Sequence, residues 1–591
     1  MIEKIMKAVK SSNKKRSRNI TIGAVIGFLL SCTAVMGVTE DNYLWIKDDN
    51  GEIKFSTNGR EWNNENPYSE NSWNTTTNTY TNNITLSGKG NGVSGANYGL
   101  KLGTITNLNS EFKFINNGVI SGTGSGNSAC GILYNGQGKI EAITNKGEIS
   151  GKSSTRNSDS GYGINISSEE RETVRKIGTL NNIGKIYGES TSNDGYGIYI
   201  SNQTGEITTI NNTGIISGKS TGKRNSGYGI YIYGSSGEIT TINNTGIISG
   251  KSTSNDGYGI CNSRGTIGAI NNTGVIYGKS WAINNSSGAI NKVNNYGILV
   301  SCGSSTINGV NNKNNKGLIF GVTSAGTYTA TDYDHFGQTY DVEETINSIT
   351  KKYKVINAKA EGTENNITGT ESLKLKNGTL TNGDSPTIDI SSDERYILNG
   401  ITNTLEVSGK NNELNDSVIN AYKTAVVMGS NDSTLILNNT VVNGGLSGND
   451  PTISVTGNKN ILTIQGNSVV NGTMESTGEN NTLNLYGKIN NNLNKSNNRY
   501  EATSMNILND ISGFTNINID NNVTFFEDVK VTGTEKVTVA ETGTLNLRLK
   551  NTGSEETVDG KPIQKALMLF QAMKMKWLYR EKEMVKIQQE L

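Results

Sequence analysis

Between Ser226 and Ile260 the sequence reads SGYGIYIYGSSGEITTINNTGIISGKSTSNDGYGI, and its opening phrase begins again at Gly257. The same phrase recurs at Tyr98-Gly99, Cys130-Gly131, Tyr162-Gly163, Tyr196-Gly197, Tyr228-Gly229 and Tyr258-Gly259, with a degenerate copy at Trp281-Ala282. A second marker follows each copy: Asn116-Asn117-Gly118, Asn145-Lys146-Gly147, Asn181-Asn182, Asn211-Asn212, Asn243-Asn244, Asn271-Asn272 and Asn294-Asn295. A period of about 30 residues is the mark of stacked structural repeats. Each repeat holds three short β-type pieces, such as 229–233, 238–242 and 246–249, separated by Gly/Ser, Asn-Asn-Thr-Gly and Gly-Lys-Ser turns. Three strands make one coil of a solenoid, whereas a propeller blade needs four strands and about 40 residues or more.

One short strand cannot bury its apolar side chains or pair its backbone, but like coils stacked about 4.8 Å apart do both. The expected fold is therefore all-β: a parallel β-helix or β-solenoid with coils of about 30 residues, irregular in its second half. Composition agrees. The chain has 591 residues, of which 71 are Gly and only 4 Pro, and each interior Gly costs a helix about 1 kcal/mol relative to Ala. The hydrophobic fraction of 33% is low for a compact two-layer core, yet its regular spacing separates the chain from disordered low-complexity sequence. With 54 basic and 53 acidic residues scattered along it, the chain has no stripe of positive charge, and a nucleic-acid partner is not expected.

Alternation along a strand puts Tyr228, Ile230 and Ile232 on one face and Gly229 and Tyr231 on the other. The isoleucines are expected inside, with Tyr228 among them unless a bend at Gly229 turns it out. Turned out, Tyr98, Tyr162, Tyr196, Tyr228 and Tyr258 would form an aromatic ladder able to stack on sugars or protein partners; parity favours a buried column. Asn211, Asn243 and Asn271 are expected to form a structural ladder of side-chain amides along the axis, with the neighbouring Gly free to take a left-handed turn.

Around the repeats the chain divides into further segments. In residues 1–37, seven basic residues from Lys4 to Arg18 precede an apolar run from Ile20 to Met36 that ends in small residues. That is the pattern of a long secretory signal peptide cut after Gly37; the competing readings are an uncleaved anchor and acylation at Cys32. Residues 38–80 read as an aromatic N-terminal cap: Asp49-Asn50-Gly51 is a hairpin signal, and Trp45, Trp62 and Trp73 can cover the exposed edge of the first coil. Residues 81–301 are the regular solenoid. Residues 302–360, with TDYDHFG and VEETINSITKKYKVI, are an irregular coil and excursion, and 361–560 a less regular solenoid continuing the stack. One continuous rod would be of order 80–110 Å long.

Residues 561–591 differ in style. From Gln564 onward there is no Gly, Asn, Ser, Thr or Asp. An amphipathic helix is one reading of this tail. The other is a single-base frameshift near Phe570, because codons for MKMKW and REKEMVKIQQ read one base earlier return Asn, Gly and Thr.

Catalytic patterns are sparse. The one histidine, His335, follows Asp332 and Asp334 without a serine placed for a Ser-His-Asp system. Asp194 and Asp256 recur two coils apart, but Ser226 holds the intervening position, which is turn chemistry rather than paired carboxylates. Cys130, Cys261 and Cys302 have no disulfide or metal spacing and read as small buried residues. Catalysis and cofactors are not expected.

The long basic signal, aromatic cap and Asn/Gly-rich GYGI…INNTGIISG coils resemble the passenger domain of a Gram-negative autotransporter (type V secretion) adhesin. The resemblance spans roughly residues 1–560 and is one of architecture, with no ligand motif. It implies a β-helical stalk displayed at the cell surface, attached to a C-terminal outer-membrane β-barrel, with host-cell or bacterial surface glycans or proteins as partners. No barrel-like strand series follows residue 560, so the chain reads as truncated, and the truncated product as periplasmic or secreted. A polysaccharide-active β-helix enzyme and an inert structural stalk are the alternatives.

Overall fold

The computed structural model describes residues 42–547 apart from 90–96, 107–110, 125–127, 155–158, 168–173, 202–204, 254–255, 304, 347–348, 391–393, 488, 495–498, 503 and 527, together with 556–558 and 561–563. The expected signal segment and nearly all of the expected tail lie outside the described residues.

The chain is an all-β parallel solenoid. Its first part is a triangular stack of three sheets, named here by the phrases that build them. The GYGI sheet contains Gly195–Ile200, Gly227–Ile232 and Gly257–Asn262; the INN sheet contains Gly205–Asn212, Glu238–Asn244 and Thr266–Asn272; the ISG sheet contains Ile215–Ser220, Ile247–Ser252 and Val275–Gly278. Pairing is parallel and in register, Tyr196 on Tyr228 on Tyr258, Ile207 on Ile239 on Ile267, Gly218 on Gly250 on Gly278. Leaving aside antiparallel strands at their ends, each sheet passes through nine coils. The core is a column of isoleucines at every coil, among them Ile198, Ile230, Ile260, Ile207, Ile239 and Ile267, all fully buried.

Antiparallel strands cover one end of each sheet, and the parallel strands left at the other ends, Ile307–Asn308, Lys313–Asn315 and Thr85–Gly88, are short, which leaves no long parallel edge open to another chain. At the N-terminal end Leu44–Asp49 pairs with Glu52–Ser56 across a two-residue turn. Asn50 and Gly51 there have φ of 56° and 88°, the geometry of a type I′ hairpin. Ser72–Asn74 covers the INN sheet in the same way, and its Trp73 packs on Phe55 and Phe112 at 5.7 and 6.0 Å between ring centroids. At the other end Tyr328–Ala330 lies antiparallel on Leu318–Val322.

The excursion is a reversal. Thr339–Ile346 and Ile349–Asn357 form a long hairpin, and its second strand pairs in parallel with Tyr396–Gly400 to start a second stack. That stack does not extend the first, so the single rod expected from the sequence is not what forms. The second solenoid runs back beside the first, and successive asparagines donate their side-chain amides to turn carbonyls of successively earlier coils. Asn357 reaches Lys316, Asn399 reaches Tyr296, Asn420 reaches Thr273, Asn443 reaches Thr245, Asn471 reaches Thr213 and Asn506 reaches Lys146, all at 2.7–2.9 Å.

The cause lies on the outside of the ISG sheet. Ile215, Ile247, Val275, Ile298 and Leu318 stack as a column beside the inward-facing Ile216, Ile248, Ile276, Leu299 and Ile319. Neighbours on a strand point to opposite faces, so this column faces away from the solenoid's own core. The second solenoid covers it with Ile401, Tyr422 and Leu446.

Candidate functional site

The five predicted tyrosines all lie on the outer side of the GYGI sheet, correcting the parity reading that placed Tyr228 with the isoleucines. A Cβ at Gly229 would sit 2.7 Å from Ile248 Cγ2 and 2.5 Å from the Gly259 carbonyl oxygen, so Gly229 points inward. The next residue, Ile230, is also fully buried. Two inward positions in succession form a bend, and the first of them takes only the smallest residues, Gly in the GYG copies and the buried Ala282 beside Trp281. The bend leaves both Tyr228 and Tyr231 outside, partly exposed.

Tyr162, Tyr196, Tyr228, Tyr258 and Trp281 stack along the axis with centroids 5.0, 5.1, 5.0 and 5.6 Å apart and planes within 8° of parallel. Tyr98 is separated from this run by Cys130 and packs instead on Trp45 at 5.7 Å. Tyr199 and Tyr231 form a second column beside the first. Neighbouring rings cover each other's faces, and their hydroxyls are engaged: Tyr196 and Tyr258 donate to Asp194 and Asp256 at 2.9 and 3.1 Å. Burial pushes the Tyr162 and Tyr231 phenols up to about 12 and raises those of Tyr196, Tyr228 and Tyr258 as well. This is the chemistry of a packed structural column whose outer edges alone meet solvent.

Asn211, Asn243 and Asn271 belong to the outer of two amide ladders. In it Asn211 donates to Asn181, Asn243 to Asn211, Asn271 to Asn243 and Asn294 to Asn271, always toward the N-terminal coil, at 2.8–2.9 Å. The inner ladder runs the other way and is buried: Asn82, Asn116, Asn145, Asn182, Asn212, Asn244, Asn272 and Asn295 each donate to the asparagine of the next coil, ending at Asn315. Asn315 donates in turn to Asp332 at 2.9 Å. A chain of amides that all point one way thus terminates on a carboxylate, the strongest acceptor available.

The remaining polar residues serve structure too. Asp194 accepts the Ser226 amide at 2.6 Å, and Asp256 accepts the Ser280 hydroxyl at 2.7 Å. His335 ends a single 3-10 turn with Nδ1 2.7 Å from the Tyr340 hydroxyl. Cys130 and Cys261 are buried, and burial pushes both thiols up to about 12, but Cys302 is exposed, contrary to the reading of all three as buried. Among the described residues no three His, Cys, Asp or Glu side chains are grouped closely enough to hold a metal ion.

Sequence reasoning missed the seam between the solenoids. Its signal was present in the doubled apolar pairs of GIISG, GIISG, GVIYG, GILVS and GLIFG, against the single apolar residue of GEISG and GKIYG. On a strand with one buried face, two adjacent apolar residues require a second cover. Compared with family models, curated proteins and solved structures, the chain matches none.

Proposed function

We propose that this chain is a non-catalytic, exported β-solenoid acting in adhesion or display, the passenger of a Gram-negative autotransporter adhesin. The observation that carries the reading is the doubling of the solenoid. Asn506 lies level with Lys146, and Val119 packs into the core of the second solenoid, so the described chain begins and ends at one pole. The hairpin Thr339–Asn357 stands at the other. A scaffold tethered through residues beyond the second solenoid presents the reversal outward, where hairpin and corner loops are held on rigid coils. The full-length form belongs at the cell surface, held by an outer-membrane barrel, and a truncated product in the periplasm or medium. Partners are host-cell or bacterial surface glycans or proteins, met at the reversal pole rather than on ring faces that cover one another.

The test is binding of the labelled, purified chain to bacterial and mammalian cells and to immobilised surface glycans. Saturable binding is expected, weakened at least about tenfold when residues 341–354 are replaced by a two-residue turn. Absence of saturable binding to any of these surfaces contradicts adhesion and leaves an inert stalk. Release of oligosaccharides from a polysaccharide contradicts it in favour of an enzyme.

A further inference from the structure

The seam is nearly periodic, and a periodic seam does not define its own register. Most coils of the first solenoid offer one apolar residue and one turn carbonyl, and successive coils of the second offer one asparagine each at the Tyr296, Thr273, Thr245 and Thr213 levels. Sliding by one coil would remake almost every contact, as in strands whose pairing is weakly specified.

One level breaks the pattern. Between Asn471, which reaches Thr213, and Asn506, which reaches Lys146, lies the level of Ile183, which is 39% exposed. The docking sheet splits at this level: Val469–Asn471 ends one sheet and Met505–Ile507 begins another, although Met474–Ser476 pairs with Ile511–Ser512 and Thr482–Gly487 with Asn516–Asp520 without interruption. In the outer column of the ISG sheet the residues around the split are Glu148 and Lys185, the two charged members of a column otherwise made of Thr85, Val119, Ile215, Ile247, Val275, Ile298 and Leu318. The Lys185 ammonium donates to the Leu508 carbonyl, reversing the direction of the asparagine bonds, and Asn509 donates to the Val470 carbonyl at 3.0 Å. Glu148, Lys152, Asp510 and Asp528 are the charged groups around Lys185, and Glu148 accepts the Tyr187 hydroxyl at 2.6 Å.

We propose that Lys185, seated in the split of the docking sheet, is a latch that fixes the register of the second solenoid on the first. In a register shifted by one coil it would lose the Leu508 carbonyl and place its buried ammonium against an unsplit apolar level, with only Glu148 of its own column beside it. A polar group that discriminates against wrong registers is the best-attested use of such groups in repetitive interfaces.

The test is hydrogen exchange read by mass spectrometry on the full chain. Glu148→Val/Lys185→Ile, which makes the column apolar throughout, is expected to give two exchanging populations along the whole seam. The amides of the Thr213, Thr245 and Thr273 turns should exchange at least tenfold faster in one of them, while the isoleucine core of the first solenoid stays protected. Lys185→Arg, which keeps the charge and the donor, should retain one population. If the apolar variant changes exchange only near Ile183–Tyr187 and Asn506–Asp510, Lys185 is a local contact and the latch is refuted. If the variant does not fold, Lys185→Met alone is read the same way.

Discussion

A single amide in the inner ladder makes more bonds than its size suggests. Asn244 donates to Asn272, to the Gly246 carbonyl and to the Val275 carbonyl, and accepts from Asn212, while 1% exposed. Asn244→Ala leaves buried partners unpaired and should cost about 2–4 kcal/mol in denaturant unfolding, against about 1 kcal/mol for the partly exposed Asn211→Ala of the outer ladder. Gly229→Ala forces a Cβ onto the Gly259 carbonyl oxygen and should destabilise by about 1–3 kcal/mol. The tyrosine column predicts a pH dependence. Folding raises the Tyr162 and Tyr231 phenols to about 12, above about 10 in the unfolded chain. The folded state therefore holds protons that the unfolded state has lost, and stability, full below about pH 10, should fall as the pH rises toward 12. The share of the phenolate absorbance that Tyr162 and Tyr231 contribute should rise together with unfolding rather than before it. The asparagine positions were legible because every copy carries them. The direction of their bonds was not, because an amide has both a donor and an acceptor and only the packed corner selects between them. The tyrosines were misplaced because parity assumes an unbroken strand, and Gly229 breaks it.

At the scale of elements, hairpins close the stacks and one column joins them. The N-terminal hairpin was legible from Asp-Asn-Gly, because few other pairs accept the positive φ at both turn positions. The excursion after residue 302 was legible as an interruption but not as a reversal. Its strands look alike whichever way the next stack runs, and the deciding signal is spread over doubled apolar pairs along the first solenoid. Ile247 sits at the centre of that column, 3% exposed. Ile247→Lys should release the second solenoid, seen as rapid proteolysis between residues 396 and 547, while the near-ultraviolet circular dichroism of the stacked tyrosines stays intact. If the whole chain unfolds together, the two stacks are one cooperative unit and the seam is not a separable contact.

For the whole molecule, the doubling sets both shape and presentation. Nine coils at about 4.8 Å each span about 43 Å, roughly half of the rod that the repeat count alone predicts. The measurement that bears most directly on this account is a pulsed-dipolar distance between spin labels at Asn64→Cys, in the N-terminal cap, and Glu541→Cys, near the end of the second solenoid. A Cys302→Ser background removes the exposed native thiol. Side-by-side solenoids predict a single distance below about 50 Å, since the two sites lie at the same pole. A distance of about 80 Å or more, the span of an unbroken stack, would contradict the doubled solenoid and with it the presentation of the reversal.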